Sequence, residues 1–286
     1  MRFKNTGDTI SKIIGENLDT ESQKWLFDKI AQIIAQKSVR ELYLTYSLCN
    51  TKIAAVATVK MTAVDDSALK NYLVLKEANL LEISRVCLLA KVLDADRDFF
   101  KDKVANLIQV ADTKELETFL KYLILLPDAG YFQHVAVEAL RTNIATIFDA
   151  ISLHNPYPAQ FFNEQQWNQM YLKAAFMQRD LGEIIAIDER ANQALAKIIS
   201  DYAHERWAAS RDIDPEIWRP TTKYLDNGIL ADIHRLLKSE NIVENRAAAL
   251  CCFHSGASGP LKLLQDHPSL RHAIENDNLT WENFKN

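Results

Sequence analysis

Two stretches, His154 to Phe176 and Asp188 to Arg219, hold three of the five tryptophans and many of the polar side chains that stand among apolar ones. In the second, Asp201, His204 and Glu205 are spaced so that a helix sets an imidazole beside carboxylates, a pattern that serves either metal binding or general acid/base work. The metal reading fails on count. Di-iron bundles use two Glu-x-x-His motifs plus two further carboxylates, and zinc proteases use His-Glu-x-x-His, whereas Ala208 stands where a second histidine would be needed. His154 and Asp188 are the only obvious extra ligands, so no metal is expected. An acid/base pair of His204 with Asp201 or Glu205 stays open as a weak catalytic candidate. Phosphate loops of the GxGxxG or GxxxxGK[ST] kind and a G-x-S-x-G elbow are absent, and no cofactor is expected.

The same stretches supply a candidate binding set. Lys173, Arg190 and Arg206 carry positive charge, Trp167 or Trp207 offers an aromatic wall, and Asn168, Gln169, Asp188 and Asn192 add polar contacts, together suiting a small anionic or polyhydroxylated ligand. A structural reading competes with it. Turned at 100° per residue, the helix from Arg190 to Ser210 has Leu195, Ile198, Ile199, Tyr202 and Ala203 on its apolar stripe, with Arg206 near the middle and His204 opposite. A buried guanidinium has to be paired, and Asp188, Glu189 and Glu138 are the candidate partners. Asn143 and Asn168, also set among apolar neighbours, read as members of buried hydrogen-bond networks.

Helices must position these residues. Glycine and proline number seven each, about 5% of the chain together against an average near 12%, and neither occurs between Glu16 and Leu126. Helix interiors exclude both residues, and hairpins require them. Apolar periodicity predicts helices over Thr20 to Gln36, Val39 to Cys49, Leu80 to Leu93, Arg97 to Val110, Lys114 to Leu126, Tyr131 to Leu153, Ile229 to Lys238, Val243 to His254 and Ser258 to Gln265. Asp65, Asp66 or Ser67 is the expected cap of a helix through Glu77, and Asp96 and Asp112 stand where the next caps are expected. The ambiguous run from Ile53 to Val64 is assigned to helix, Trp167 to Met177 to a helix buried all round, and HNPYP at 154–158 to a loop. ADIHRLLKSENIVENRAAALCC, at 231–252, resembles a HEAT-type repeat. The expected fold is all-α, a HEAT-like α-solenoid or a compact α-α superhelix of helical hairpins, in a single domain over 1–286.

Length and composition narrow the function classes. With 286 residues, 48% of them hydrophobic and 25% charged, the chain can bury a core without staples. A net charge of −5 without a basic run argues against a nucleic-acid partner. Cys49, Cys87, Cys251 and Cys252 lack ligand spacing and read as buried thiols of a reducing compartment. The first residues lack a signal-peptide core and no apolar run approaches about 20 residues, so a cytoplasmic protein without membrane insertion is expected.

NPYP at 155–158, WNQMYLKAAF at 167–176, IDERAN at 187–192, DYAHERWAASR at 201–211 and PEIW at 215–218 resemble the signature of the EboA-domain family, over roughly 138–219. The resemblance implies a bacterial, soluble, helical protein whose gene sits in a cluster with prenyltransferase-like, dehydroquinate-synthase-like and TIM-barrel or hydrolase-like neighbours, engaged in making or moving a secondary metabolite. It implies no catalytic residue. What it favours is a non-catalytic helical-repeat accessory protein binding a pathway metabolite or a partner enzyme, with an enzyme using a His/carboxylate pair in a groove as the alternative.

Overall fold

The structure is a computed structural model that describes residues 3, 6–56, 58–62 and 64–286. Among them there is no strand, and the helices fall into two compact units, 1–161 and 162–286. The first holds α1 (Thr6–Asn17), α2 (Thr20–Gln36), α3 (Val39–Lys52), α4 (Ser67–Leu75), α5 (Leu80–Ala95), α6 (Arg97–Ala105), α7 (Leu107–Val110), α8 (Thr113–Lys121), α9 (Gln133–Ala139), α10 (Ala145–Ser152) and α11 (Tyr157–Phe161). The second holds α12 (Glu164–Phe176), α13 (Ile187–Arg190), α14 (Gln193–Ala208), α15 (Asn227–Leu237), α16 (Ile242–His254), α17 (Ser258–Leu263) and α18 (Pro268–Glu275). Helices packed as successive hairpins are compatible with an α-solenoid or superhelix.

In the first unit α5 is the central element. Its sequence is apolar on nearly every side, so it has no face to give to water, and α1, α2, α3, α6 and α8 pack around it. The one large cation it carries inward, Arg85, is 3% exposed. Its Nε donates to the carbonyl of Tyr46 at 3.1 Å, its Nη2 to Glu115 Oε1 at 3.4 Å, and its guanidinium lies 5.2 Å from the Tyr46 ring centroid. Glu115 also closes a capping box with Asp112 at the start of α8. A charged pair this deep contributes net stability only because each partner satisfies the other.

Two expectations for this unit are corrected. Residues 53–56, 58–62 and 64 are not helical: α3 stops at Lys52 and the next helix waits for the Asp66 cap at Ser67, while Ala57 and Ala63 lie outside the described residues. Small β-branched residues with no polar face give a helix nothing to hold it on the surface, and the run stays irregular. The helix expected from Tyr131 to Leu153 is broken between α9 and α10, where the Thr142 hydroxyl accepts from the Ile144 N–H at 3.1 Å. That local bond competes with the helical ladder. It leaves Asn143 exposed, outside any buried network.

In the second unit α16 buries Ala247, Ala248, Ala249, Leu250, Cys251 and Cys252, a run of small residues that lets α15 and a 3-10 stretch, Pro215–Thr221, pack close. The α15–α16 pair is the hairpin the repeat pattern suggested, and Asn245 of α16 donates to the carbonyls of Leu236 at 2.8 Å and Ser239 at 2.9 Å, satisfying the orphan end of α15. α12 is amphipathic instead of buried all round: Trp167, Met170 and Tyr171 are inside, and Phe176 is 72% exposed. The last residues fold back onto the unit. Trp281 and Phe284 are buried, and Lys285 Nζ sits 2.6 Å from Glu216 Oε2, 2.9 Å from Asp214 Oδ2 and 3.7 Å from Asp180 Oδ1. Burial raises the Glu216 pKa, with Lys285 opposing.

The four thiols are free and buried, and desolvation pushes those of Cys49, Cys251 and Cys252 up to about 12. Among the described residues no helix is long and apolar enough to cross a membrane.

Candidate functional site

The candidate residues of the second unit separate into four places. The first is the junction of α12 and α14. Asn192 caps α14, accepting from the Leu195 N–H at 2.8 Å, and exchanges amide bonds with Asn168 at 3.1 and 2.8 Å. Arg190 donates to the carbonyls of Phe162 at 2.8 Å and Asn163 at 3.3 Å while its guanidinium lies 5.0 Å from the Trp167 ring. Burial lowers the pKa of Arg190 and of half-buried Lys173 alike, whereas Gln169 is exposed. Asn168 and Asn192 thus turn their amides on one another between the two helices, while the buried Trp167 Nε1–H has no hydrogen-bond partner among the described residues.

The second place is the α14–α15 contact. His204 Nε2 donates to Asp232 Oδ1 at 2.7 Å, and the Ser200 hydroxyl donates to Asp232 Oδ2 at 2.6 Å. The partner of His204 is therefore a carboxylate of α15 and not Asp201 or Glu205, both exposed on its own helix. An ionised carboxylate only accepts, so the imidazole donates to it from Nε2. A serine relay would need the hydroxyl on the imidazole; here it is spent on the acid. Beside this group Trp207 stacks on Trp218 at 5.9 Å and carries the Arg235 guanidinium at 4.0 Å from its ring.

Arg206 marks the third. It is half-buried, and its Nε and Nη2 donate at 3.1 and 2.6 Å to the carbonyl of Asp212, with no acidic partner among the described residues. The helical stripe that placed it in the core runs out two residues later at Ala208, so the side chain turns onto the departing chain and satisfies a carbonyl there. Phe176, Tyr202 and Asp212 join it around a recess of about 320 Å³.

The fourth was missed by sequence reasoning except for one residue. Arg219 grips Asp188 with Nε at 3.1 and 3.2 Å and with Nη2 at 2.7 Å. Burial works against the Arg219 charge, but the hydrogen bond and charge of Asp188 outweigh it and raise its pKa. The guanidinium lies 5.7 Å from the Trp281 ring, and together with Lys223 and His254 these residues border a recess of about 300 Å³. Positions 188 to 281 span 93 steps of chain, so nothing in local spacing could announce the set. The single available signal was a bare Asp–Arg complementarity between the two ends of one conspicuous stretch, Asp188 to Arg219.

A larger recess, about 790 Å³, lies in the first unit between Phe3, Lys91, Asp94, Pro127 and Phe161. Arg97 also lines it, its lysine is paired with Asp8 at 2.7 Å, and none of the candidate residues borders it. Size alone does not make it the site; the smaller recess has cations and an aromatic wall with capacity to spare. Among the described residues no group of three His, Cys, Asp or Glu side chains is placed to hold a metal ion.

The family model described as Metabolite traffic protein EboA matches residues 6–222. No curated protein and no solved structure matches the chain.

Proposed function

The chain belongs to the EboA family, and we propose that it is a non-catalytic helical accessory protein which binds a small polar or anionic metabolite and passes it to, or receives it from, a partner enzyme of the same secondary-metabolite gene cluster. The observation that carries this reading is the recess beside the Asp188–Arg219 pair, where Lys223, His254 and Trp281 offer charge and an aromatic surface. In support, the remaining candidates are dispersed, with Arg190 on the carbonyls of Phe162 and Asn163, His204 on Asp232 and Arg206 on the carbonyl of Asp212: a shared reaction centre would draw them toward one concavity. The reduced, buried thiols and the acidic net charge fit work in the cytoplasm away from nucleic acid.

Native mass spectrometry of the full chain after incubation with extract of its own host tests the proposal. One small molecule should be retained per chain and be lost in Lys223→Met. Retention of nothing, or conversion of the retained compound by the protein alone, rejects it.

A second reading rests on the Asp232–His204 dyad, whose imidazole side chain is 58% exposed. Under it the protein is an enzyme of the same pathway with His204 as general base. His204 borders none of the recesses described above, which is why the binding reading is preferred. Turnover of a pathway metabolite abolished by His204→Gln would reverse that preference.

A further inference from the structure

We infer that the recess at Arg219 takes a tetrahedral oxyanion, the phosphate of a phosphorylated metabolite, in preference to a carboxylate or a neutral polyol; the inference rests on the binding function proposed above.

Part of the Arg219 guanidinium is already engaged. A guanidinium recognises a planar carboxylate by laying two parallel N–H groups against its two oxygens. On Arg219 the Nε and Nη2 edge that would do so is committed to Asp188. The remaining nitrogen, Nη1, has Glu282 Oε1 as its nearest acid at 3.9 Å, beyond hydrogen-bond reach, on a carboxylate 74% exposed and free to move aside. Arg219 therefore offers a ligand one donor and no fork.

Two further single donors border the same space. Lys223 is exposed and has no hydrogen bond or ion pair among the described residues, and His254 has only an edge contact with Phe253. Each comes from a different backbone position: the 3-10 stretch Pro215–Thr221, the residues just after it, and the end of α16. Separate single donors suit an anion whose oxygens diverge, each taking one N–H, and suit poorly a planar group that wants two from one side. Lys223 brings a charge with no counter-ion among the described residues, while Asp188 and the exposed Glu282 face Arg219; a phosphate monoester, carrying about −1.5 to −2 at neutral pH, would pair with that ammonium where a neutral polyol would not. The volume, about 300 Å³, is at the lower limit for small-molecule sites. It admits the phosphate and a short body, which Trp281 can cover.

Isothermal titration of the full chain with inorganic phosphate, and with acetate and glycerol as comparators, tests this. Phosphate should bind saturably and at least about tenfold more tightly than acetate, with no binding of glycerol. Lys223→Met should weaken phosphate about tenfold, and Lys197→Met, an exposed lysine elsewhere in the unit, should leave it unchanged. Equal affinity for acetate, an unaffected Lys223→Met, or no phosphate binding overturns the inference. A metabolite retained from extract that contains no phosphoryl group also overturns it while sparing the proposed function. Phosphate binding without any retained metabolite does the reverse.

Discussion

His204 and Asp232 meet at 2.7 Å across the α14–α15 contact, and the same carboxylate takes the Ser200 hydroxyl at 2.6 Å. Asp232→Ala strips a buried serine and a histidine of their shared acceptor. It should lower unfolding stability by about 1–3 kcal/mol. Asp201→Ala and Glu205→Ala, on the exposed face, should stay within about 0.5 kcal/mol. Urea unfolding of the three variants separates the cases, and equal losses would show that the inter-helix carboxylate has no special weight.

Among the described residues the buried guanidinium is that of Arg85. Arg85→Ala leaves Glu115 deep in the first unit without its cation and should cost about 3–5 kcal/mol, while Arg85→Met with Glu115→Leu should recover most of that loss. For Arg206→Ala the expected cost is about 0.5–1.5 kcal/mol, since only bonds to a carbonyl at a half-buried position are removed. Thermal melts should rank the variants in that order.

Asn192 does two jobs, capping α14 and pairing with Asn168. Losing both in Asn192→Ala should cost about 2 kcal/mol, whereas Asn168→Ala, which spares the cap, should cost about half as much. A larger loss for Asn168→Ala would mean that the amide pair outweighs the cap.

Glu216 supplies a pH signature. Burial raises its folded pKa above the ordinary 4.5. The folded state then holds its proton to higher pH than the unfolded chain, so the stability linked to this group is full below 4.5 and declines as pH rises through the folded value. Lys285 opposes the rise, so Lys285→Met should steepen the decline. At pH 7 the variant should lose about 1–3 kcal/mol, less than for a fully enclosed pair because the ammonium is 38% exposed. Near pH 4 the gap to the native protein should narrow; a gap independent of pH would show that Glu216 is not the group responsible.

What could be read from the chain was local. α2 spans Thr20–Gln36, the range its apolar spacing predicts, and Asp66, Asp96 and Asp112 cap the helices that follow them. A cap and its helix lie within four residues, so one window contains cause and effect. Helix ends were less legible: Lys37, Glu77, Gln178 and Ser210 take positive φ where glycine would have advertised the stop. The reasoning that a buried arginine must be paired was sound, but the helical wheel assigned it to Arg206. An isolated wheel cannot tell which side of α5 faces protein when every side does, and so it passed over Arg85. The recess residues were invisible for a different reason, because Asp188, Lys223, His254 and Trp281 meet only after α16 and the last residues have folded back.

Lys285 has one more implication. The family match ends at 222, yet the cation facing Glu216, Asp214 and Asp180 inside the match arrives from 63 positions further on. A fragment cut to the matched region would therefore keep a submerged acid and discard its counter-ion, and neutral buffer would work against its refolding. Electroneutrality in this molecule is completed across the edge that sequence similarity draws, so an expression fragment designed to that edge starts from an unbalanced interior.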